Sequence, residues 1–272
     1  MSKIYPHPAP GPRRAVLVTG GGQRLGAALC EAFARAGWQV WCQYRASQAE
    51  AQALCARLQA EGLHAEAIEA DLTTEEGRKA LMAMASAGPA ALACVVNNAS
   101  AFEPDSALDF EPDAALRQLG VNLIAPLSLA RLLAQQACSP DALDRSVIHI
   151  LDQKVYNLNP DYFSYTVSKL ALERAVALQA QALAPAVRVC GVAPGLMFPS
   201  GPQDLVNFAK AQGANLMRRA IDPADVARSC VFLAGTPSVT GTTLCVDNGQ
   251  HLVPLARDIM FVVDDLLKAS TP

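Results

Sequence analysis

Residues 15–26 read AVLVTGGGQRLG, and this stretch decides the fold class. Its first five residues form a short apolar, β-branched run, which is typical of a strand buried on both faces. From Leu25 to Ala36 the apolar residues have helical spacing, and Gly37 follows as a helix-ending residue. The stretch therefore predicts a strand, a glycine-rich turn and a helix in immediate succession.

The same alternation continues along the chain. Further strands are predicted at 40–42, 65–69, 92–97, 146–151, 187–192 and 244–246, and further helices at 48–61, 75–85, 114–137, 162–183 and 223–233. Strands that alternate with helices indicate βαβ units and a parallel sheet covered on both faces. We therefore expect one doubly wound, Rossmann-like α/β domain over residues 15–272, with a mainly parallel seven-stranded sheet.

Three segments depart from this alternation. Residues 1–14 carry four prolines and predict a flexible arm. The segment 194–217, rich in Gly, Pro and Asn, is expected to form a substrate loop. The apolar stretch 252–267 needs covering, which a subunit contact or an additional helix packed on the same fold would provide.

Composition narrows the function classes. The chain has 272 residues, of which 51% are hydrophobic and 17% charged, so it has ample material for a core and is not disordered. The net charge of -3 comes without a basic stripe, which argues against a nucleic-acid partner. Every apolar run is shorter than a membrane span requires, so no membrane partner is expected.

The cysteines indicate a reducing compartment. The eight cysteines are scattered singly, with no C-x-x-C pair and no nearby histidine, so no metal site is predicted. Most lie inside apolar runs, where a reduced thiol behaves as a small core residue. We therefore expect a cytoplasmic protein, although an even number of cysteines is also compatible with four disulfides.

The glycine turn is a candidate nucleotide site. Glycines let backbone N–H groups approach a pyrophosphate, which a helix N-terminus favours through its dipole. The spacing of Gly20, Gly21, Gly22 and Gly26 is not G-x-G-x-x-G, so a plain tight turn remains an alternative.

The segment after the second strand bears on the choice of cofactor. Enzymes that use NAD usually carry an acidic residue there, whereas this chain has Gln43-Tyr44-Arg45-Ala46-Ser47. Arg45 and Ser47 can bind a 2′-phosphate, which favours NADP(H). A solvated arginine at a strand end is the alternative.

A tyrosine and a lysine are candidates for proton transfer. Tyr165 and Lys169 stand four residues apart in a predicted helix and therefore share one face. A neighbouring cation favours the phenolate, so Lys169 is expected to lower the pKa of Tyr165. Asp152 lies thirteen residues earlier, at the carboxyl end of the fifth strand, where open parallel sheets gather functional groups.

These motifs together resemble the short-chain dehydrogenase/reductase family, from Ala15 to about Gly249. The matching residues are the glycine loop, Asp71-Leu72, Asn97-Asn98-Ala99, Asn122, Tyr165-x-x-x-Lys169, Pro194-Gly195 and Val246-Asp247-x-Gly249. The resemblance implies a Rossmann-like fold, a nicotinamide cofactor, hydride transfer and a homotetramer.

The resemblance also implies roles for individual residues. Tyr165 is then the proton donor, Lys169 binds the nicotinamide ribose, and Asn122 supports a proton-relay water. Asp71 and Leu72 lie against the adenine. With Arg45 and Ser47, the expected cofactor-binding set is Gly20, Gln23, Arg24, Leu25, Arg45, Ser47, Asp71, Leu72, Asn97, Ala99, Tyr165, Lys169, Pro194 and Gly195.

Two departures from the family pattern point to a subgroup. The family usually places serine at the position of Asp152 and glycine at that of Arg24. Both changes, with Ser100 and Phe102, are similar to the pteridine reductases and the related dihydromonapterin and dihydrofolate reductases. That likeness implies that Asp152 and Tyr165 protonate a ring nitrogen, that Phe102 stacks on the pterin, and that Ser100 and Arg24 contact substrate or cofactor phosphate.

The expected function is therefore NADPH-dependent reduction of a C=N bond in a pteridine-like small molecule. An ordinary aldehyde or ketone reductase and a catalytically silent nucleotide-binding regulator are alternatives. Phe102 as a loop residue packed on the core, and Asp152 as a cap of the following turn, also remain open. His251 is interpreted as structural.

Overall fold

The seven expected strands form one parallel sheet in a computed structural model that describes residues 14–136, 144–201 and 203–269. Every pair of neighbouring strands runs parallel, in the order β3-β2-β1-β4-β5-β6-β7. The strands are β1 (Arg14–Val18), β2 (Gln39–Tyr44), β3 (Ala65–Glu69), β4 (Ala91–Asn97), β5 (Ser146–Ile150), β6 (Arg188–Pro194) and β7 (Thr243–Val246). The strand order reverses at β1, so a crevice is expected between the ends of β1 and β4.

The helices cover both faces of this sheet. They are α1 (Arg24–Arg35), α2 (Gln48–Ala60), α3 (Glu75–Ser86), α4 (Pro112–Leu119), α5 (Ala125–Gln135), α6 (Phe163–Leu183), α7 (Leu205–Ala211), α8 (Pro223–Gly235) and α9 (Ile259–Ala269). Side chains of α1, α2 and α8 pack into one apolar layer, and those of α3, α5 and α6 into the other.

The alternation of side chains along β1 accounts for the two layers. Val16 and Val18 belong to the layer with α1, whereas Ala15 and Leu17 belong to the opposite layer. All four are fully buried, because successive strand residues point to opposite faces and both faces are covered. Fully burying an aliphatic side chain stabilises the fold by about 1.5–3 kcal/mol.

The helix expected over 114–137 is instead two helices separated by a π-helical turn, Gly120–Ile124. Pro126 supplies the physical reason. It lacks the N–H that an α-helix would use to bond the carbonyl four residues earlier, at Asn122. The irregular turn holds the Asn122 side chain fully inside the protein.

The C-terminal part contains two helices, α7 and α9, in segments where the apolar spacing predicts no definite element. The segment 194–217 contains α7, which begins where the Asp204 side chain accepts a hydrogen bond from the Asn207 N–H at 2.8 Å. The stretch 252–267 overlaps α9, which agrees with the alternative of an additional helix packed on the same fold. Ala211 and Ala214 pack with Ile259 and Val263, so part of the apolar stretch is covered within the chain.

The expected arm needs one correction at its boundary. Arg14 is the first residue of β1, because it pairs with Ala91 of β4. The rest of the predicted arm, 1–13, lies outside the described residues, as does Cys138. The seven described cysteines are free thiols. In the described ranges, no helix is both long and apolar enough to cross a membrane.

Candidate active site

A cleft of about 1030 Å³ opens at the carboxyl ends of the strands. The strands are parallel, so their carboxyl ends meet at one edge and bring distant sequence motifs together. The expected site residues that line the cleft are Gly20, Gln23, Arg24, Leu25, Arg45, Ser47, Asp71, Leu72, Ala99, Ser100, Phe102, Asp152, Tyr165, Lys169, Pro194 and Gly195. Of the described residues expected here, Asn97 and Asn122 lie outside the lining.

Tyr165 and Asp152 form a hydrogen-bonded pair in this cleft. The Tyr165 hydroxyl donates to Asp152 Oδ2 at 2.8 Å, and the other carboxylate oxygen accepts from the Lys154 backbone N–H at 2.8 Å. The aspartate therefore does cap the following turn, as the alternative interpretation expected, and it contacts Tyr165 as well. Capping fixes the carboxylate in front of the phenol.

Lys169 lies one helical turn beyond Tyr165 on α6. Its Nζ is 5.7 Å from the centre of the Tyr165 ring and donates to the Ile150 carbonyl oxygen at 2.8 Å. The ammonium is therefore held at the end of β5, within the cleft lining. Both polar groups occupy one face of the helix, as their spacing predicts.

The pKa values in this group depend mainly on burial. Burial raises the pKa of Asp152 and lowers that of Lys169 to about 8. The pKa of Tyr165 lies well above its usual range, first because the phenol is buried and then because Asp152 is nearby. This direction is opposite to the expected lowering by Lys169, chiefly because the phenol is buried and also because Asp152 contacts the phenol oxygen.

Asn122 lies behind the cleft and supports its wall. Its side chain exchanges two hydrogen bonds of 2.8 Å with the backbone of Ala101 and donates to Ser168 Oγ at 3.0 Å. It also accepts a hydrogen bond of 3.2 Å from Ser100. Asn122 thereby fixes the segment that carries Ser100 and Phe102 against α6.

Phe102 borders the hydrogen-bonded pair of Tyr165 and Asp152. Its ring stacks on Tyr162 with a centroid distance of 4.1 Å and meets the Tyr165 ring edge-on at 4.6 Å. Phe102 is 36% exposed, whereas Tyr162 is buried, so the ring packs on the core on one side and leaves part of its surface open. Tyr162, which the sequence did not single out, begins α6 from a left-handed backbone conformation.

The glycine loop approaches its neighbours closely. Gly20 has a φ of 60°, and a Cβ placed there would lie 3.0 Å from the Cα of Ala99. A Cβ on Gly26 would lie only 2.0 Å from the Gly20 carbonyl oxygen. The loop can therefore bring its backbone to the cleft only while these positions carry no side chain.

Two amides that the sequence did not assign hold this loop. The Gly20 N–H donates to Gln43 Oε1 at 2.9 Å, and the Asn98 side chain donates to the Thr19 and Gly20 carbonyls at 3.0 and 3.1 Å. Asn97 was expected beside the cofactor, but its side chain instead contacts His149 Nδ1 at 3.1 Å. Burial lowers the pKa of His149 to about 4, so that imidazole is neutral.

The loop leaves the N-terminus of α1 facing the cleft. The helix begins after Gln23, whose side-chain amide donates to Glu50 at 2.7 Å. The next residue, Arg24, lines the cleft in a left-handed conformation with a φ of 49°. Such a conformation is unfavourable for a residue with a Cβ by roughly 1–2 kcal/mol.

The far side of the same cleft carries further polar groups. Arg45 is exposed at the end of β2, and Ser47 begins α2 beside it. Asp71 accepts hydrogen bonds from the Thr73 backbone and hydroxyl at 2.9 and 2.8 Å, which lower its pKa. Arg45 lowers that pKa further through its charge.

The C-terminal part adds lining residues that the sequence did not single out. The Gln250 side chain accepts a hydrogen bond from the Leu196 N–H at 2.8 Å and so holds the chain just beyond Gly195. The neighbouring His251 contacts Asp247 at 2.6 Å, which agrees with its structural interpretation. The lining residues that sequence reasoning missed in this part are Gln250, Leu255, Asp258 and Ile259, and Lys154 in the turn after β5 was missed as well.

Curated proteins and solved structures resemble this chain over most of its length. A dihydromonapterin reductase of Enterobacter is 29% identical over 89% of this chain and 98% of its own. An uncharacterized oxidoreductase of Mycobacterium tuberculosis is 31% identical over 87% of this chain and 91% of its own.

Two solved structures have the same fold. FolM alternative dihydrofolate reductase 1 from Brucella canis, complexed with NADP, is 35% identical over 91% of this chain and 97% of its own, with a TM-score of 0.84. The Brucella suis protein of the same name, also with NADP, is 36% identical over 88% of this chain and 95% of its own, with a TM-score of 0.83.

A family model described as enoyl-(acyl carrier protein) reductase matches residues 22–251. The match includes α1, the Tyr165/Lys169 helix and strands β2 to β7, and it begins after β1. Fold, motif positions and relatives therefore agree: the chain belongs to the short-chain dehydrogenase/reductase family of oxidoreductases.

Proposed function

We propose that this protein reduces a C=N bond in a pteridine-like ring, with NADPH as the cofactor. The observation that carries the proposal is the partly buried hydrogen bond between Tyr165 and Asp152, where the family usually has a serine in place of the aspartate. The names of the dihydromonapterin reductase relative and of the two NADP-bound dihydrofolate reductases agree with this substrate class.

The residues along the cleft fit a dinucleotide that carries a 2′-phosphate. Gly20 and the start of α1 expose their backbone to the cleft. A Cβ on Gly20 or Gly26 would collide with neighbouring backbone and displace this loop. Arg24, Arg45 and Ser47 supply two guanidinium groups and a hydroxyl for phosphate, which suits bidentate recognition by arginine. Lys169 would hold the nicotinamide ribose. When bound, NADPH supplies the hydride that adds to the ring carbon.

The chain's own contribution is the proton. Adding a hydride to the carbon of a C=N bond leaves the nitrogen in need of a proton. Burial raises the pKa of both Asp152 and Tyr165, so these two groups retain a proton more readily than they would in water. Their hydrogen bond links the two carriers, and either one can then restore the other's proton after it is delivered.

The flat substrate ring would lie against Phe102. An aromatic side chain beside the reactive pair favours a planar heterocycle through stacking. Ser100, which Asn122 fixes in the same wall, would donate or accept one hydrogen bond at the edge of the ring. The carboxylate of Asp152 can also accept from an aminopyrimidine edge.

Turnover assays test this proposal directly. The purified protein with NADPH is expected to reduce dihydropterin, dihydrobiopterin or dihydrofolate more efficiently than a panel of aldehydes and ketones. Failure to reduce all three pterins while ketones react would refute it. Comparing kcat/KM with NADPH and NADH tests the cofactor, and equal efficiencies would contradict the role of Arg45.

The surroundings of this site also form part of the proposal. We infer that the chain from Arg14 onward acts as one catalytic domain, with 194–217 contacting substrate, and that the protein is a cytoplasmic homotetramer. The seven described thiols are free, which supports a reducing compartment. Leu116, Ile124 and Leu178 expose large apolar side chains on neighbouring helices, which supports subunit contacts. Sedimentation velocity measures the assembly.

A further inference from the structure

Lys154 is a buried cation in the cleft that proton transfer does not use. The residue is 4% exposed, lies two positions after Asp152 and lines the cleft. Its Nζ is 3.4 Å from Asp258 Oδ2 and 5.4 Å from the centre of the Tyr162 ring. Tyr162 stacks on Phe102, so Lys154 lies one ring beyond the wall of the proposed substrate site.

The contact between Lys154 and Asp258 leaves the ammonium and the carboxylate able to form further hydrogen bonds with a ligand. An ammonium has three donors, and a good charge-assisted hydrogen bond is about 2.7–2.9 Å long. The separation of 3.4 Å is longer, whereas Lys210 and Asp264 approach to 2.7 Å in the same part of the molecule. Asp258 also lines the cleft, and its side chain is 21% exposed.

The ion pair between Lys154 and Asp258 is not needed to attach the C-terminal segment to the rest of the fold, because other contacts do so. Arg257 makes a bidentate contact with Asp161, with N–O distances of 2.7 to 3.0 Å. Asn157 donates to the Val253 carbonyl at 2.7 Å, so the segment is already held against the loop before α6. These contacts involve residues outside the cleft lining, whereas Lys154 and Asp258 both border the cleft.

We propose that Lys154 and Asp258 form a subsite for a neutral, hydroxylated side chain attached to the reducible ring. The ammonium would donate to a hydroxyl oxygen, and the carboxylate would accept the proton of a neighbouring hydroxyl. An alkyl side chain would leave the buried Lys154 and the partly exposed Asp258 without these partners, and an anionic one would face Asp258. This inference rests on the proposed pteridine reduction.

The test compares three dihydropterins that share the ring and differ in the side chain. Dihydrobiopterin carries vicinal hydroxyls, 6-methyl-dihydropterin carries an alkyl group, and dihydrofolate carries an anionic chain. The wild-type protein is expected to favour dihydrobiopterin over the methyl compound by about tenfold in kcat/KM. In Lys154→Met and in Asp258→Asn this ratio is expected to fall to about one, with the change mainly in KM.

The ratio separates recognition from chemistry. The charge of Lys154 also lowers the pKa of Asp152, so its loss changes the turnover of every substrate, but that effect cancels between two substrates with the same ring. Lys210→Met is the matched control, because Lys210 links α7 to α9 through an exposed ion pair away from the cleft lining. That variant is expected to keep the wild-type ratio.

Each outcome decides one of the two proposals. If the wild-type protein reduces no dihydropterin, the proposed function fails. If it reduces them but the ratio stays unchanged in both Lys154→Met and Asp258→Asn, or changes equally in Lys210→Met, the subsite alone is refuted. A wild-type preference for dihydrofolate that disappears in Lys154→Met would also overturn it, since the side chain would then be anionic. NADPH binding by fluorescence verifies that each variant is folded.

Discussion

The glycine-loop region and the C-terminal region border the same cleft but are built by different means. In the loop, Gly20 and Gly26 act by lacking a side chain, and the backbone itself forms the surface. In the C-terminal region, side chains form the surface together with distant parts of the chain: Asp258 pairs with Lys154, which lies 104 residues earlier in the turn after β5. A rigid backbone cradle suits an invariant cofactor, whereas a surface of side chains can be adjusted to a particular substrate.

Tyr165 and Asp152 line the same cleft, and removing the phenol hydroxyl is expected to have the largest effect. Tyr165→Phe deletes the group that donates to Asp152 at 2.8 Å. Reductive kcat/KM is expected to fall by about 100-fold or more, because general acid catalysis contributes on that scale. NADPH affinity, measured by fluorescence titration, is expected to stay nearly the same. Strong residual turnover would place the proton donor elsewhere.

A substitution in the glycine-loop region is expected to reduce stability and NADPH affinity, whereas Tyr165→Phe reduces turnover. A methyl group at Gly26 would meet the Gly20 carbonyl oxygen at 2.0 Å, so Gly26→Ala must displace the loop. We expect a loss of about 2 kcal/mol in the free energy of unfolding, as is typical of overpacking, together with weaker NADPH binding.

Gly235→Ala is the control for this effect. A Cβ on Gly235 would have nothing within 4 Å, and the residue ends α8, so its unfolding free energy is expected to change by less than about 0.5 kcal/mol. Urea denaturation measures both variants. Equal stabilities would mean that the loop tolerates side chains and that its close approach is not required.

The contrast between the two regions explains what the sequence could predict. The glycine loop, the spacing of Tyr165 and Lys169, and Asp152 at a strand end all follow from local patterns, and the structure brings these residues to one cleft. Parallel strands make this possible, since their carboxyl ends coincide whatever the length of the connections.

Residues that act through distant partners carried no such local signal. Tyr162 precedes α6 within an ordinary loop, and only the fold stacks it on Phe102. The break between α4 and α5 depends on Pro126, although the apolar spacing continues across it. Asn97 was assigned to the cofactor, whereas the fold buries it against His149 and leaves Asn98 at the cleft.

Asp152 makes the pair sensitive to pH. If Asp152 or Tyr165 delivers the proton, reductive kcat/KM falls as the pH rises through the controlling pKa, because only the protonated group can donate.

Asp152→Ser is expected to lower pterin reduction by about tenfold or more while leaving carbonyl reduction unchanged or improved. Steady-state assays from acid to alkaline pH measure both. Equal losses for the two substrate classes would favour an ordinary carbonyl reductase.

The same aspartate is expected to reduce stability at neutral pH. Its folded-state pKa is raised, chiefly by burial, so the folded protein binds this proton more tightly than the unfolded chain does. The contribution of this group to stability therefore decreases as the pH rises through the folded-state pKa. Asp152→Asn, which keeps an oxygen for the Lys154 N–H, is expected to be more stable than the wild type at neutral pH. Its advantage is expected to shrink on acidification, as urea titrations at several pH values would show.

The smallest expected effect is that of replacing Arg24 with glycine. Comparing this variant with a second arginine in the same backbone conformation separates backbone strain from cofactor binding. Arg24 has a φ of 49° and lines the cleft, whereas Arg218 has a φ of 51° and lies outside the lining. Replacing either one with glycine removes an unfavourable left-handed conformation, and each variant is expected to gain about 0.5 kcal/mol after the added flexibility of the unfolded chain is subtracted. Only Arg24→Gly is expected to weaken NADPH binding, because only that guanidinium borders the cleft. Equal NADPH affinities in the two variants would show that Arg24 is strained without contacting the phosphate, and the glycine-loop region would then bind its cofactor through backbone alone.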